Sequence, residues 1–427
     1  NFFKKKKMTE KECNIHIIGA GISGLIAAQV LENYGYAPIV IEASDRVGGR
    51  VKTDSVNGYQ LDHGFQVLLS AYPAAQKYLD YEALDLQPFL PGASIFKSSK
   101  QKIIGDPLRN LSLLFPTLFS GIGTFSDKFK ILKLNHKLKK KTLQAIFSET
   151  EQSTLGYLEK LGFSNGIITD FFKPFFSGIF LETQLETSSR MFEFVYKMFG
   201  EGLAALPKAG IEAIPKQLKE HLKKTTFHFN TKVKSVKDGK ILLTNDTELE
   251  SHFTIIATEA SSLISKLKNQ ETEWKSCDTL YFETNSRTIK KPLIGLITNE
   301  NALINNIFYH TSLASHTTGT RELLSVTVVK NHGLSHKALI IQIQKELKMY
   351  CGIDTYTFIK HYSIAQALPK LKELHYDMLP SETRLTKGIF LAGDTQLNGS
   401  LNAAMISGER AAFFFLMIST FIIFIYF

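Results

Sequence analysis

Ile15-His16-Ile17-Ile18-Gly19-Ala20-Gly21-Ile22-Ser23-Gly24 is the stretch on which the fold turns. Ile15 to Ile18 is a short, mostly apolar run that reads as a strand, and Leu25 to Glu32 is a run of strong helix formers that Gly35 ends. Between them stands G-x-G-x-x-G. Gly19 allows the tight turn, Gly21 lets backbone approach a pyrophosphate, and Gly24 lets the helix pack close on the strand. Ile22 and Ser23 open that helix, whose free N–H groups and positive dipole end suit phosphate oxygens. Ala37 to Ile41 reads as the second strand and ends at Glu42, 23 residues after Gly19. A carboxylate there can accept hydrogen bonds from a ribose diol and repels a 2′-phosphate. A lone glycine pattern is weak, but strand, helix and acid all fall where a dinucleotide site requires them.

Working outward, the next loop is Ala43-Ser44-Asp45-Arg46-Val47-Gly48-Gly49-Arg50. Gly48 and Gly49 allow backbone to pass close to a cofactor, and Arg46 and Arg50 are cations for phosphate oxygens. This E-A-x-x-R-x-G-G-R run, begun by Glu42, resembles the hallmark of the flavin-containing amine oxidase superfamily, which includes phytoene desaturases and protoporphyrinogen oxidases. The resemblance implies FAD, with Ala43 to Arg50 crossing the cofactor.

The far end of the chain agrees. Ile389 to Ala392 reads as a strand and runs into Gly393-Asp394, and Gly399 to Ala412 contains Leu401-Asn402-Ala403 and Ser407-Gly408-Glu409-Arg410-Ala411-Ala412. This is similar to the superfamily's closing motif. It implies that Asp394 bonds the ribityl or pyrophosphate part of FAD and that a helix from near Leu401 aims its N-terminus at the flavin. A hydride acceptor becomes anionic, and a helix N-terminus stabilises that charge. Two alternating runs flank the turn Asp238-Gly239, a hairpin signal. The resemblance places Val233 of that hairpin by the adenine, through its backbone.

The fold class expected is therefore α/β: a Rossmann-type, glutathione-reductase-like FAD/NAD(P)-binding domain built from discontinuous segments, with an inserted α+β substrate domain. Residues 8–85, 225–262 and 366–412 are assigned to the FAD lobe. Residues 86–224, largely helical in pattern, and 263–365 are assigned to the substrate lobe, and 413–427 is an apolar tail. A helix over Ala411 to Phe427 would be about 25 Å long, short of a roughly 30 Å hydrocarbon core. A tail anchor, a misread end and a helix buried against the protein all stay open. Asn1 to Lys7 precede Met8 and read as an upstream extension.

The 427 residues are 44% hydrophobic and 21% charged, which excludes wholesale disorder. Three scattered cysteines favour neither a disulfide scaffold nor a thiolate zinc site, and no His–carboxylate cluster has metal spacing, so no metal is expected. The net charge of +10 includes Lys4 to Lys7. A second basic cluster, Lys128 to Lys141, is interleaved with Phe129, Ile131, Leu132, Leu134 and Leu138. It reads as the solvated face of an amphipathic helix or, second, as a surface resting on anionic lipid. No nucleic-acid fold signature accompanies it.

A flavin carries the chemistry itself, so no strong acid–base pair is required. The weak catalytic candidates are His63 and Gln66, in Gly58 to Val67, a stretch that runs close to the flavin in relatives; Asp62 and His63 holding a turn together is the competing reading. The superfamily's amine-oxidising members use a lysine linked through water to the flavin, for which Lys290 and Lys291 are offered. The aromatic stretches 171–180 and 192–199 read as core, or else as the lining of a large apolar pocket. The expected protein is a FAD-dependent oxidoreductase that removes hydride from a large apolar small molecule, with flavin reoxidised by oxygen or a quinone. An amine oxidase and a non-catalytic FAD-bound scaffold are the alternatives. The expected location is cytoplasmic, with peripheral membrane contact left open and no nucleic-acid partner.

Overall fold

The strand Ile15–Ile18 is buried at every residue, because it lies at the centre of a parallel sheet covered on both faces. The computed structural model describes residues 13–106, 109–267 and 270–425. The parallel sheet has the order Thr226–His228, Ile39–Ile41, Ile15–Ile18, Phe253–Ile256, Ile389–Leu391. Its strands come from three distant parts of the sequence, so this lobe is discontinuous, as expected.

The helix Ile22–Asn33 follows the first strand and packs against the helix Leu401–Ile425. The crossing is close because glycine meets backbone. At the crossing a Cβ on Gly408 would stand 2.2 Å from the Ser23 carbonyl oxygen; within the first segment, one on Gly24 would stand 2.0 Å from the Gly19 carbonyl oxygen. Leu25, Ile26, Ala27 and Ala403 are fully buried in the resulting core. A fully buried Leu or Ile contributes about 1.5–3 kcal/mol to stability.

The hairpin at Asp238-Gly239 forms as expected: Val233–Lys237 pairs antiparallel with Lys240–Leu243, and Glu248–Glu250 adds a third strand. The substrate lobe has a seven-stranded sheet, ordered Thr355–Pro369, Trp274–Thr284, Glu322–Val328, Ile304–Tyr309, Ile294–Ile297, Gly92–Lys97, Lys100–Gly105. Its last strand runs to Pro369, past the expected lobe boundary at 365/366, and two of its strands fall within the stretch read as largely helical. Helices between Leu114 and Glu201 supply the other wall of this lobe.

The apolar tail continues the last helix. Phe415 packs edge-on against Phe253 at 4.7 Å and Tyr36 at 5.1 Å, and Phe414 meets Phe390 at 5.8 Å. The window Leu401–Ile418 is long and apolar enough to cross a membrane, yet 56% of it is buried inside the protein. Up to Ile418 the tail continues this helix, burying Phe415 and Leu416 and leaving Met417 half exposed. Asn1 to Lys7, Phe427 and the side chains beyond Ile418 lie outside what is described.

Candidate cofactor and substrate cavity

Four of the five parallel strands end, at their carboxyl sides, in loops that line one cavity. Gly19 and Gly21 follow the first strand and Glu42 the second. Ala257, Thr258 and Glu259 follow Phe253–Ile256, and Gly393 and Asp394 follow Ile389–Leu391. The carboxyl edge of an open α/β sheet is where such folds bind ligands. The cavity measures about 1780 Å³, far more than a drug-sized pocket needs. It continues from the sheet edge into the substrate lobe.

Of the residues proposed from sequence, Gly19, Gly21, Ile22, Ser23, Glu42, Gly48, Gly49, Arg50, Gly393, Asp394 and Leu401 line this cavity, with His63 and Gln66. A Cβ built on Gly21 meets nothing within 4 Å, so it would enter open cavity. The Glu42 carboxylate accepts from Ala20 N at 2.7 Å and from Ser44 N at 2.8 Å, which ties the two crossover loops together. Arg50 Nη2 stands 2.5 Å from Asp394 Oδ1 across 344 residues of sequence, and its guanidinium lies over the Trp274 ring at 5.0 Å. This ion pair joins the first and last cofactor segments at the cavity wall.

The other proposed residues sit behind the wall. Gly24 serves helix packing. Val233 is buried in a satellite core with Ile18, Ile41 and Ile241. Asn402 is fully buried and accepts from Ala74 N at 3.0 Å, and Ala403 is core. Ala43 does not line the cavity. Arg46 does not line this cavity: its guanidinium lies 2.7 Å from Asp54 and 3.0 Å from buried Glu212, in a separate small cleft.

His63 Nε2 lies 2.8 Å from Asp54 Oδ2, and its ring packs on Tyr362 at 4.4 Å. The Tyr362 hydroxyl donates to the same Asp54 oxygen at 2.9 Å. Hydrogen bonds from His63, Tyr362 and Arg46 outweigh partial burial and hold the Asp54 carboxyl below its ordinary range. Asp62 is structural: it accepts from Thr53 Oγ1 at 2.6 Å and Ile211 N at 3.1 Å, and burial pushes its pKa up to about 6. Gln66 Nε2 donates to the carbonyls of Arg50 and His63, each at 2.9 Å, so it fixes the loop.

Sequence reading missed Lys275. Lys290 and Lys291 do not line the cavity, but Lys275 does, its Nζ donating to Phe180 O at 2.9 Å and Thr187 Oγ1 at 3.0 Å. Burial lowers its pKa from the ordinary lysine value. Ala257 to Glu259 were also missed, although a turn after a core strand beside the G-x-G strand was a usable signal. The aromatic stretches divide by face. Phe172, Phe192 and Phe194 are fully buried core, whereas Phe171, Phe175, Tyr196 and Phe199 line the cavity.

The cavity has parts that fit FAD: two helix N-termini at its wall, an open cradle at Gly21, and Glu259 Oε2, a buried acceptor without a hydrogen-bond partner among the described residues. Fold and cavity together are those of a protein that binds a dinucleotide cofactor at the carboxyl edge of its sheet. The profile of the flavin-containing amine oxidoreductases matches residues 22–413, and the chain belongs to that family. It is similar to L-amino-acid oxidase from Sistrurus catenatus edwardsii, 26% identical over 60% of this chain and 50% of the relative. It is also similar to protoporphyrinogen oxidase 2, chloroplastic/mitochondrial, from Arabidopsis thaliana, 28% identical over 38% of this chain and 32% of the relative. The chain thus spans half of the first relative's length and about a third of the second's. A crystal structure named for protoporphyrinogen oxidase, from Exiguobacterium sp. 255-15, superposes with a TM-score of 0.70 at 17% identity. It covers 96% of this chain and 99% of its own, which establishes the shared fold.

Proposed function

We propose that this protein removes hydride from a C–H bond of a large apolar molecule, a desaturation or dehydrogenation of the kind protoporphyrinogen oxidases and phytoene desaturases carry out. The observation that carries the reading is the cavity's continuity from the Gly21–Asp394 region into a chamber walled by Phe65, Phe89, Phe171, Phe175 and Phe199. When bound, FAD supplies the hydride acceptor, and oxygen or a quinone supplies the final electron sink. The chain's residues do the rest. Arg50 and Asp394 hold the cofactor cleft together, and the aromatic walls bury the substrate and exclude water. Hydride loss must be matched by loss of a proton from the neighbouring atom. His63, oriented by Asp54, is the group on this wall proposed to accept it.

Lys275 on the cavity wall and the L-amino-acid oxidase relative favour a second reading, an amine oxidase. Anaerobic titration of the FAD-loaded protein separates the two. A porphyrinogen and a partly saturated polyene, tested beside primary amines and amino acids, should bleach the visible flavin band at least about tenfold faster than any amine. Faster bleaching by amines, with hydrogen peroxide formed in air, would establish the second reading. Flavin that no compound reduces would make the protein a scaffold.

A further inference from the structure

The helix Phe125–Lys140 carries two apolar stripes where a surface helix needs one. Ile131, Leu134 and Leu138 face inward and pack in the core. On the opposite side Phe125 is 78% exposed, Phe129 70% and Leu132 46%. Their spacing, i, i+4 and i+7, puts them in one row. The preceding short helix, Leu114–Phe119, ends in Phe119 at 82% exposure, with Leu118 beside it. Lys128 joins the two parts: its Nζ donates to the Leu118 carbonyl at 3.0 Å and lies over the Phe125 ring at 5.3 Å. Large apolar side chains gathered in this way mark an interaction surface.

The charge around the row is of one sign. Lys133 and Lys140 flank it on one side and Lys128 and Lys139 on the other, and the helix's single acid, Asp127, is fully buried. Lys137 and Lys141, by contrast, turn to buried Glu193, Lys141 largely buried and Lys137 half exposed. Aromatic and leucine side chains in the centre with lysines at the margins match the layering of a bilayer interface: acyl chains inside, anionic headgroups outside. The patch also meets the cavity, whose wall includes Leu118, Lys128, Ile131 and Leu132.

We infer that this face docks on an anionic lipid bilayer and that the cavity mouth beside it takes an apolar substrate directly from the membrane. The second half of the inference rests on the reading of function given above; the first half does not. Co-sedimentation of the FAD-loaded protein with phosphatidylcholine vesicles, with and without one-third phosphatidylglycerol, tests the docking. Binding is expected to the anionic vesicles and to weaken as salt rises. Phe125→Asp with Phe129→Asp should reduce it at least about tenfold. Lys133→Gln and Lys140→Gln should each reduce it about fivefold. All four positions are exposed and lie off the cavity wall, so bound flavin and thermal melting should be unchanged and report intact folding.

Equal binding by wild type and the double Phe variant would overturn the inference, as would no vesicle binding by either. So would a lipid-free dimer that the Phe variants convert to monomer, because the face would then pair with a second copy. Vesicle binding by a protein that no apolar compound reduces would leave the docking surface standing and refute only the functional reading.

Discussion

At the scale of single residues, the three glycines of the first crossover do different jobs, and the structure separates them. Gly21 faces open cavity, whereas Gly24 faces the Gly19 carbonyl at a distance no Cβ tolerates. Gly21→Leu should therefore keep its thermal melting within a few degrees of wild type while losing bound FAD. Gly24→Val should lose the fold itself, an effect of more than about 3 kcal/mol, seen as insoluble protein or a collapsed melting transition. Melting curves and flavin absorbance of the two variants, measured side by side, check this; equal behaviour would remove the division of roles. The same scale shows what sequence alone conceals. Arg46 and Arg50 both flank the glycine pair, yet one is neutralised by Asp54 and Glu212 and the other reaches Asp394. The carboxylate that claims a cation lies up to hundreds of residues away, so local spacing cannot assign it. Lys275 was illegible for a related reason: a lysine inside a strand has no local pattern, and only the folded sheet shows which face it takes.

At the scale of elements, the legible parts were those with a strong local signature. The strand–turn–helix at Ile15–Asn33, the Asp238-Gly239 hairpin and the Ile389–Leu391 strand each carry their geometry in their own residues. The helix Phe125–Lys140 was legible as a helix but not in its orientation, because its two apolar stripes are similar in sequence. Asp127 decides which stripe is buried. Its carboxylate accepts from Thr124 N and Oγ1 and from Ser164 N and Oγ, all within 2.6–2.8 Å, closing a capping box and fastening the helix to the Ser164 turn. These bonds outweigh burial and lower its pKa to about 2. Asp127→Ala should cost roughly 1–3 kcal/mol. Denaturant melts would show the loss, and native stability in the variant would mean that packing alone positions the helix.

At the scale of the whole molecule, the chain builds one cofactor edge from segments more than three hundred residues apart and inserts a substrate lobe between them. The sheet order and the Arg50–Asp394 pair make that edge a product of tertiary structure, and the glycine motifs only announce it. The lobe boundary was less legible, since the strand Thr355–Pro369 carries substrate sheet up to the cofactor cavity without a break in composition. The central claim is that both glycine-bearing crossovers close on a single FAD. Its most direct measurement is the visible absorption spectrum of the purified protein after incubation with FAD and gel filtration. Flavin bands at about one equivalent per chain are predicted, with FAD recovered on denaturation; a colourless protein that elutes folded would contradict the claim.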